Sequence, residues 1–388
     1  MEKFLTFPKG FLWGSSISSY QTEGGIDNCD WSYFFPAGKA CDHYNRYEDD
    51  FDLVKRLNQN AFRFSLEWSR IEPKEGEFDQ KEIDHYKKVL ISLRERGIVP
   101  FVTLNHWTLP LWFVKKGGWL NSKSPDYFSE YVERTIEELG RYSNFWITLN
   151  EPLVYTGNSY LKGEWPPQKK SFLKSILVTK RLIRAHNKSY SIIKNSDSDN
   201  QVSISKHNIF FDPYKGRTFN GFLAGISDYL WNDYFLEKTK DCMDFIGLNY
   251  YFRRGIKLNW LKKEKKKKEE IITDLGWEVY PEGIYKVLKD ASFFKKPIYI
   301  TENGLADSGD KKRKKFIKDH LKWVHKAIED GVDVRGYFHW SLMDNLEWDK
   351  GFWPKFGLVE IDYETMSRNP RPSAFYYADI CKKNKIEI

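Results

Sequence analysis

The chain has no long hydrophobic run and few cysteines. No apolar stretch approaches the roughly 20 residues that a helix needs to cross a bilayer, so the sequence predicts no membrane span. The four cysteines show no CxxC spacing, and a disulfide framework is not expected in a chain of 388 residues. The start of the chain lacks the apolar segment of a secretory signal. We therefore expect a cytoplasmic protein with free thiols.

Signatures of cofactor and metal binding are missing as well. The sequence contains no HExxH, no Cys/His cluster with zinc spacing, no Walker loop, no GxSxG and no calcium loop. No Gly-rich phosphate loop follows any predicted strand, which disfavours a doubly wound nucleotide-binding fold. We expect neither a cofactor nor a bound metal.

Positive charge is in only mild excess. There are 62 lysines and arginines against 54 aspartates and glutamates, a net charge of +8, with basic runs at Lys262–Lys268 and Lys311–Lys315. No nucleic-acid-binding motif accompanies these runs, so we favour solvated surface over a nucleic-acid partner. Aromatic residues reach 17%, including 15 tryptophans. Such rings fill protein cores and also cover the flat faces of sugars.

Short apolar runs alternate with helix-length segments along the chain. Eight runs have the composition of strands that are covered on both faces. They are Phe11–Ser15, Ala61–Ser65, Pro100–Leu104, Phe145–Leu149, Val202–Ser205, Phe245–Asn249, Pro297–Thr301 and Val334–Phe338. Predicted helices include Glu82–Arg96, Pro125–Leu139, Lys174–Ile193 and Lys311–Asp330. The alternation predicts an α/β protein in which residues 1–388 form a single (β/α)8 TIM barrel with elaborated βα loops.

Polar and aromatic side chains follow six of the predicted strands. Because a TIM barrel builds its active site at the C-terminal ends of its strands, these side chains should converge on one face. The segments are Arg63–Ser65, Asn105–Trp107, Asn150–Pro152, Asn249–Tyr251, Glu302–Gly304 and His339–Trp340. Convergence of polar groups from six strands is hard to explain as packing.

Two carboxylates stand out among these residues, Glu151 and Glu302. Paired carboxylates across a cleft suit glycoside hydrolysis, in which one protonates the leaving oxygen and the other attacks the anomeric carbon or activates water. Arg63 and Tyr251 could supply a cation and a hydrogen-bond donor to an ionised Glu302, the nucleophile. Glu151, facing that negative charge, fits the acid. Asn249, at the same strand end as Tyr251, is a further catalytic candidate.

The sequence resembles the glycoside hydrolase family 1 β-glycosidases over nearly the whole chain, and its archaeal members in particular. Five segments carry the resemblance in the right order. They are Phe11–Gly25, TLNEP ending at Pro152, ITENG ending at Gly304, Trp340–Phe356 and the C-terminal NPRPSAFYYADI.

The resemblance implies a retaining mechanism with Glu151 as acid/base and Glu302 as nucleophile, their carboxyl groups about 5–5.5 Å apart. It further implies that a terminal β-D-glycosyl residue is bound by hydrogen bonds and by stacking on Trp340. The hydrogen-bonding candidates are Gln21, His106, Asn150, Glu347 and Trp348, and Trp107 and Phe356 complete the substrate-binding set.

Glu347 also indicates which sugars fit. Relatives that cleave phosphosugars carry serine at the matching position, followed by a lysine and a tyrosine. Pro354 and Phe356 occupy those later places here, and a carboxylate would repel a phosphate dianion. We therefore expect an unphosphorylated β-glucoside, with β-galactosides as a further possibility.

Two departures leave questions open. The chain is shorter than most relatives, and the loop 253–274 is rich in lysine. That loop could touch a membrane or an amphiphilic aglycone, and a homo-oligomer is also open. A transglycosidase or a non-hydrolytic carbohydrate-binding relative are the alternative functions. The sequence leaves the preference among glucose, galactose, mannose and fucose undecided.

Overall fold

The computed structural model describes residues 4–213, 218–256 and 271–388. Its strands are β1 (Phe4–Thr6), β2 (Leu12–Ser16), β3 (Ala61–Ser65), β4 (Val99–Asn105), β5 (Phe145–Asn150), β6 (Gln201–Pro213), β7 (Ile246–Ile256), β8 (Ile298–Asn303), β9 (Val334–Trp340), β10 (Val359–Asp362), β11 (Ser367–Pro370) and β12 (Lys385–Glu387). Strands β2 to β9 close into a parallel barrel in chain order. The predicted TIM barrel is confirmed.

Helices connect successive barrel strands and cover the outside of the barrel. They are α1 (Ser19–Thr22), α2 (Asp30–Phe34), α3 (His43–Arg56), α4 (Trp68–Ile71), α5 (Gln80–Glu95), α6 (Leu111–Lys115), α7 (Ser124–Leu139), α8 (Pro152–Thr156), α9 (Phe172–Ser196), α10 (Thr218–Asp228), α11 (Tyr234–Thr239), α12 (Glu282–Ala291), α13 (Arg313–Glu329) and α14 (Pro372–Lys383). The four predicted helices correspond to α5, α7, α9 and α13. Side-chain caps define three starts among the described helices: Glu67 accepts from the first turn of α4, Asp79 from that of α5 and Ser171 from that of α9.

The lower half of the barrel is filled by its own side chains. Phe101 stacks on Phe145 at 4.1 Å between ring centroids and contacts Tyr299 and Phe338. This mainly apolar layer also includes Phe245 and fills the N-terminal half of the barrel axis. The open space for a substrate is therefore expected at the C-terminal ends of the strands.

Six of the barrel strands end within two residues of their predicted ends, and two continue much further. The apolar runs predict ends at Ser205 and Asn249, and both predictions are wrong because β6 and β7 continue to Pro213 and Ile256, paired with each other. Burial falls along this extension, where Arg253 forms ion pairs with neighbouring carboxylates. A run of apolar residues predicts only the part of a strand that is covered on both faces. The prediction therefore ended where one face of the strand becomes exposed.

The two ends of the described chain meet. β1 pairs antiparallel with β12, and the indole N–H of Trp13 donates to Asn384 Oδ1 at 2.9 Å. In the part of the chain that the structure covers, no helix is long and apolar enough to cross a membrane. All four cysteines are free. Within the same residues, no cluster of three or more His, Cys, Asp or Glu side chains could hold a metal ion.

Candidate active site

Glu302 lies at the C-terminal end of β8 with both carboxylate oxygens engaged. Arg63 Nη1 donates to Oε1 at 2.5 Å, and the hydroxyl of Tyr251 donates to Oε2 at 2.6 Å. The side chain is nearly inaccessible to solvent. These two donors, from β3 and β7, fix the carboxylate in one orientation and suit an ionised nucleophile.

Arg63 also joins the two halves of the site. It is completely buried, and its Nη2 donates to Asn150 Oδ1 at 2.7 Å while Nη1 contacts Glu302. Asn150 is the residue directly before Glu151, at the end of β5. One guanidinium group therefore fixes the distance between the nucleophile candidate and the segment that carries the acid candidate.

Glu151 follows β5 directly and has a left-handed backbone conformation, with φ of 42°. Its backbone N–H donates to the carbonyl of Ser205 at 2.7 Å, and its Oε1 accepts from Asn249 Nδ2 at 2.8 Å. Asn249 in turn accepts from Thr301 Oγ1 at 2.6 Å. Non-glycine residues rarely adopt this conformation, and such exceptions concentrate at functional sites.

The environment of Glu151 favours its protonated form. Burial and the negative charge of Glu302 together raise the pKa of Glu151 to about 8, although Asn249, Arg63 and Lys206 oppose the shift. The carboxyl group therefore keeps its proton at neutral pH. Removal of the charge on Glu302 would remove one cause and lower the pKa of Glu151. This is the behaviour needed from a group that acts first as an acid and then as a base.

His106 and Asn150 present one free donor to the pocket. Asn150 Oδ1 accepts from Arg63, so its Nδ2 is the donor to His106 Nε2 at 2.9 Å. Burial and the Arg63 charge lower the pKa of His106 well below its usual range, so the ring is neutral. The proton then lies on Nδ1, a buried atom without a partner among the described residues. A buried unpaired donor costs free energy that a sugar hydroxyl could recover.

Gln21 lies in α1, and Glu347 lies in the segment that follows β9. Gln21 Nε2 donates to Asn345 Oδ1 and to the Leu346 carbonyl, and its Oε1 accepts from Ser18. Glu347 Oε2 is buried and lacks a partner in the described part of the chain. Burial, with negative charges on Glu302 and on Asp349, raises the pKa of Glu347 to about 8. The free site therefore holds Glu347 largely as the acid, and donating sugar hydroxyls would favour the carboxylate.

Aromatic rings line the rest of the site. Trp348 lies 4.6 Å from Trp107 and 5.9 Å from His106, and Trp340 lies 6.0 Å from His106 between ring centroids. Phe356 packs in the same cluster as Trp340. The N–H of Trp107 is already used, because it donates to the Asn150 carbonyl at 2.9 Å. Trp107 therefore orients Asn150 and offers a substrate only its ring.

Gly304, two residues after Glu302, allows its backbone to lie close to the carbonyl group of Trp340. A Cβ at this position would lie 1.8 Å from the carbonyl oxygen of Trp340. We expect Gly304→Ala to lower the free energy of unfolding by about 1–3 kcal/mol, because backbone must move to relieve the overlap. Thermal or urea unfolding measures this loss. Gly157→Ala is the matched control, since nothing lies within 4 Å of its added Cβ. Equal stability of the two variants would contradict the prediction.

Most of the residues predicted at the six strand ends come together around Glu151 and Glu302. His339 does not, because its ring packs 6.1 Å from that of Tyr377 in α14, outside the site. One polar group was missed. Lys206 lies in β6, one residue beyond the predicted strand Val202–Ser205, and is buried. Its Nζ donates to the His207 carbonyl at 2.6 Å and lies 5.5 Å from the centroid of Trp231. Its position after an apolar run was the signal that could have found it. Residues 257–270 of the loop that could touch a membrane lie outside the described residues.

The arrangement can perform acid–base and nucleophilic chemistry with carboxylates alone. One carboxyl group is held protonated, the other is held by a guanidinium and a phenol, and neutral donors and indole rings surround both. The set is suited to binding a hydroxyl-rich ring and to breaking an acetal bond in it.

Comparisons with known proteins agree with this geometry. The sequence pattern described as "Glycosyl hydrolase family 1" matches residues 4–239 and 231–386. The "1,4-beta-D-glucan glucohydrolase" of Thermotoga neapolitana is 34% identical over 442 aligned residues, covering 97% of this chain and 98% of that protein. A solved structure of a beta-glycosidase from Pyrococcus horikoshii has a TM-score of 0.94 and 40% identity, over 100% of this chain and 97% of that one. A structure of the beta-glucosidase from Thermotoga maritima in complex with deoxynojirimycin has a TM-score of 0.90 and 33% identity, over 98% and 99% of the two chains.

Proposed function

The chain belongs to glycosyl hydrolase family 1, and from this premise we propose that it is a retaining β-glycosidase acting on terminal, non-reducing, unphosphorylated β-D-glycosides. The family and its archaeal likeness were predicted and are confirmed. β-Glucosides are the substrates we place first, with β-galactosides second. The observation that supports this proposal most strongly is that Arg63, Asn150 and Asn249 join Glu151 and Glu302 in one hydrogen-bonded network.

In the first step Glu302 attacks the anomeric carbon. The bond from that carbon to the leaving oxygen breaks, and the oxygen takes the proton of Glu151. A covalent glycosyl ester of Glu302 forms with inversion at the carbon. Arg63 and Tyr251, which donate to the two oxygens of Glu302, align the attack and then lose an anionic partner.

In the second step Glu151 changes role. The ester on Glu302 carries no charge, so the pKa of Glu151 falls and its carboxylate takes a proton from water. That water attacks the anomeric carbon and releases Glu302 with a second inversion. The product keeps the β configuration of the substrate.

We assign sugar binding to the ring of residues around the two carboxylates. His106 Nδ1 and Glu347 Oε2, both buried and unpaired in the described chain, are the best-supported contacts. Trp340 would stack on the sugar, and Gln21, Asn150 and Trp348 would bind hydroxyls after rearranging their present contacts. The acidic surroundings of Glu347, with Glu302 and Asp349 nearby, disfavour a phosphorylated sugar. We further propose that residues 1–388 act as one catalytic domain.

A panel of nitrophenyl glycosides tests the function. We expect turnover of the β-glucoside, less or equal turnover of the β-galactoside, and none of the α-glucoside. The 6-phospho-β-glucoside should be cleaved at least about 100-fold less efficiently in kcat/KM. Proton NMR of the first product should show the β anomer. Binding of the sugars without any turnover would contradict the proposal and indicate a carbohydrate-binding function. If the main product in the presence of added alcohol is the alkyl glycoside, the protein is a transglycosidase.

The proton on Glu151 predicts the alkaline side of the pH profile. Because the acid must be protonated and burial beside Glu302 raises its pKa to about 8, kcat/KM for an alkyl β-glucoside should fall about tenfold per pH unit above that value. Rates from about pH 5 to about pH 10 measure the profile. The control is a dinitrophenyl glucoside, whose leaving group needs no proton and should show a much weaker alkaline decline. The same decline for both substrates would contradict the role of Glu151.

A further inference from the structure

Large apolar side chains are exposed mainly in two segments of the described chain. Nine of the sixteen exposed ones lie in α9, in α10 and in the π-helical turn Tyr229–Asp233 that follows α10. They are Phe172, Leu173, Ile176, Leu177, Phe219, Phe222, Ile226, Tyr229 and Leu230. We call these nine residues the exposed apolar surface. Scattered single apolar residues are ordinary on a protein surface, whereas a concentration of this kind marks an interaction site.

α10 turns its apolar stripe away from the protein. Phe219, Phe222 and Ile226 follow the spacing of one helical face and are exposed, with Phe222 64% accessible, while Ala224 faces inward. Asp228 is the one charged residue in the helix. A surface helix normally points such a stripe at the core, so the outward orientation implies an apolar contact from outside.

Both segments lie at the active-site end of the barrel. α9 follows β5 and α10 follows β6, and these two strands are neighbours in the barrel. In a (β/α)8 fold the segment after each strand begins at the C-terminal end, so the first turn of α9, with Phe172 and Leu173, lies on that side. Phe293, by contrast, precedes β8 and lies at the opposite end of the barrel.

The positive charge around α9 indicates what kind of partner binds this surface. Residues 161–180 contain five lysines and one glutamate, and Lys169, Lys170 and Lys174 are exposed beside Phe172 and Leu173. A two-fold contact through this surface would bring the lysines of both copies into one interface, where their charges repel. An anionic lipid surface instead offers negative headgroups to the lysines and an apolar layer to the rings.

We propose that the exposed apolar surface binds the interface of an anionic lipid bilayer, with Phe172, Leu173, Phe222 and Ile226 inserted among the acyl chains. This surface lies outside the catalytic residues, and the proposal does not depend on the proposed function. It places the mouth of the active site close to the membrane, where glycosides with apolar aglycones accumulate.

Co-sedimentation with sucrose-loaded vesicles tests the proposal. The vesicles are phosphatidylcholine alone, or phosphatidylcholine with about one third phosphatidylglycerol. The wild-type protein should sediment with the anionic vesicles at low salt and less at about 1 M salt. Phe222→Ser/Ile226→Ser and Phe172→Ser/Leu173→Ser should each lower the partition coefficient about tenfold or more. The control Phe293→Ser removes an aromatic ring that is 85% exposed at the other end of the barrel, and it should bind like the wild type.

Three outcomes would overturn the proposal. The first is no binding of the wild type to anionic vesicles, and the second is equal binding of all variants. The third is a dimer, seen by sedimentation equilibrium, that Phe222→Ser/Ile226→Ser dissolves without any vesicle binding, which would assign the surface to a second copy. Turnover of a soluble nitrophenyl glucoside checks that each variant is folded. If no protein turns it over, the proposed function fails while vesicle binding still reports on the surface.

Discussion

Glu302→Ala should lower kcat for a nitrophenyl β-glucoside by about 10⁵-fold, which is the largest effect that we expect from a single substitution. Among the described residues, Glu302 is the one carboxylate held by both Arg63 and Tyr251, and without it no glycosyl–enzyme can form. Steady-state rates measure the loss. Glu133→Ala, which removes an exposed carboxylate from α7, is the matched control and should leave kcat unchanged.

Small anions should partly restore the activity of Glu302→Ala. Azide or formate can enter the space left beside Arg63 and attack the anomeric carbon directly. One displacement inverts the carbon, so the azide product should be the α-glucosyl azide. NMR of the product identifies its configuration. A wild-type rate in this variant, or a β product with azide, would show that Glu302 is not the nucleophile.

Glu151→Ala should cause the second-largest loss, and its size should depend on the leaving group. Without the acid, kcat/KM for an alkyl β-glucoside should fall about 10³- to 10⁴-fold, because the departing alkoxide needs a proton. A dinitrophenyl glucoside needs none, so its kcat/KM should change little. Its kcat should still fall, since the base for the second step is also gone. A series of aryl glucosides with graded leaving-group pKa measures this dependence.

Azide distinguishes the two carboxylates by stereochemistry. In Glu151→Ala the first displacement by Glu302 still occurs, and azide then attacks the covalent ester. Two inversions give the β-glucosyl azide, the opposite product from that of Glu302→Ala. Identical azide products from both variants, or equal losses with every leaving group, would contradict the assigned roles. Asn249→Ala should lower kcat/KM with the same dependence on the leaving group as Glu151→Ala, but by less, since Asn249 donates to Glu151 Oε1.

The predictable parts of the fold share one cause. A strand covered on both faces must be apolar throughout, so β5 and β8 could be located from the sequence. Locating each strand also identified the residue at its C-terminal end. Glu151 and Glu302 were found in this way, and the motifs around them strengthened the assignment. Arg63 and Tyr251 were predicted to serve Glu302 from their strand ends, and the structure places both at hydrogen-bond distance from it.

The features that sequence reasoning missed depend on contacts between distant segments. The extension of β6 and β7 is stabilised by pairing between the two strands, and nothing in either run alone predicts it. Lys206 reads as a surface residue because lysine is rarely buried. The use of the Trp107 N–H by Asn150 depends on a left-handed turn at Trp107. Of these features, only Lys206 had a signal in the sequence, its position directly after a predicted strand.

The guanidinium of Arg63 has a consequence for how this enzyme can diversify. Arg63 binds Glu302 with one nitrogen and Asn150 with another. Any redesign that displaces one of these two residues will therefore also displace the other. Successful changes of sugar preference should therefore come from the segments after β2 and β9 that carry Gln21 and Glu347, neither of which contacts Arg63 in the described structure. Directed libraries that leave the inner network untouched and randomise that outer ring should retain the most active clones.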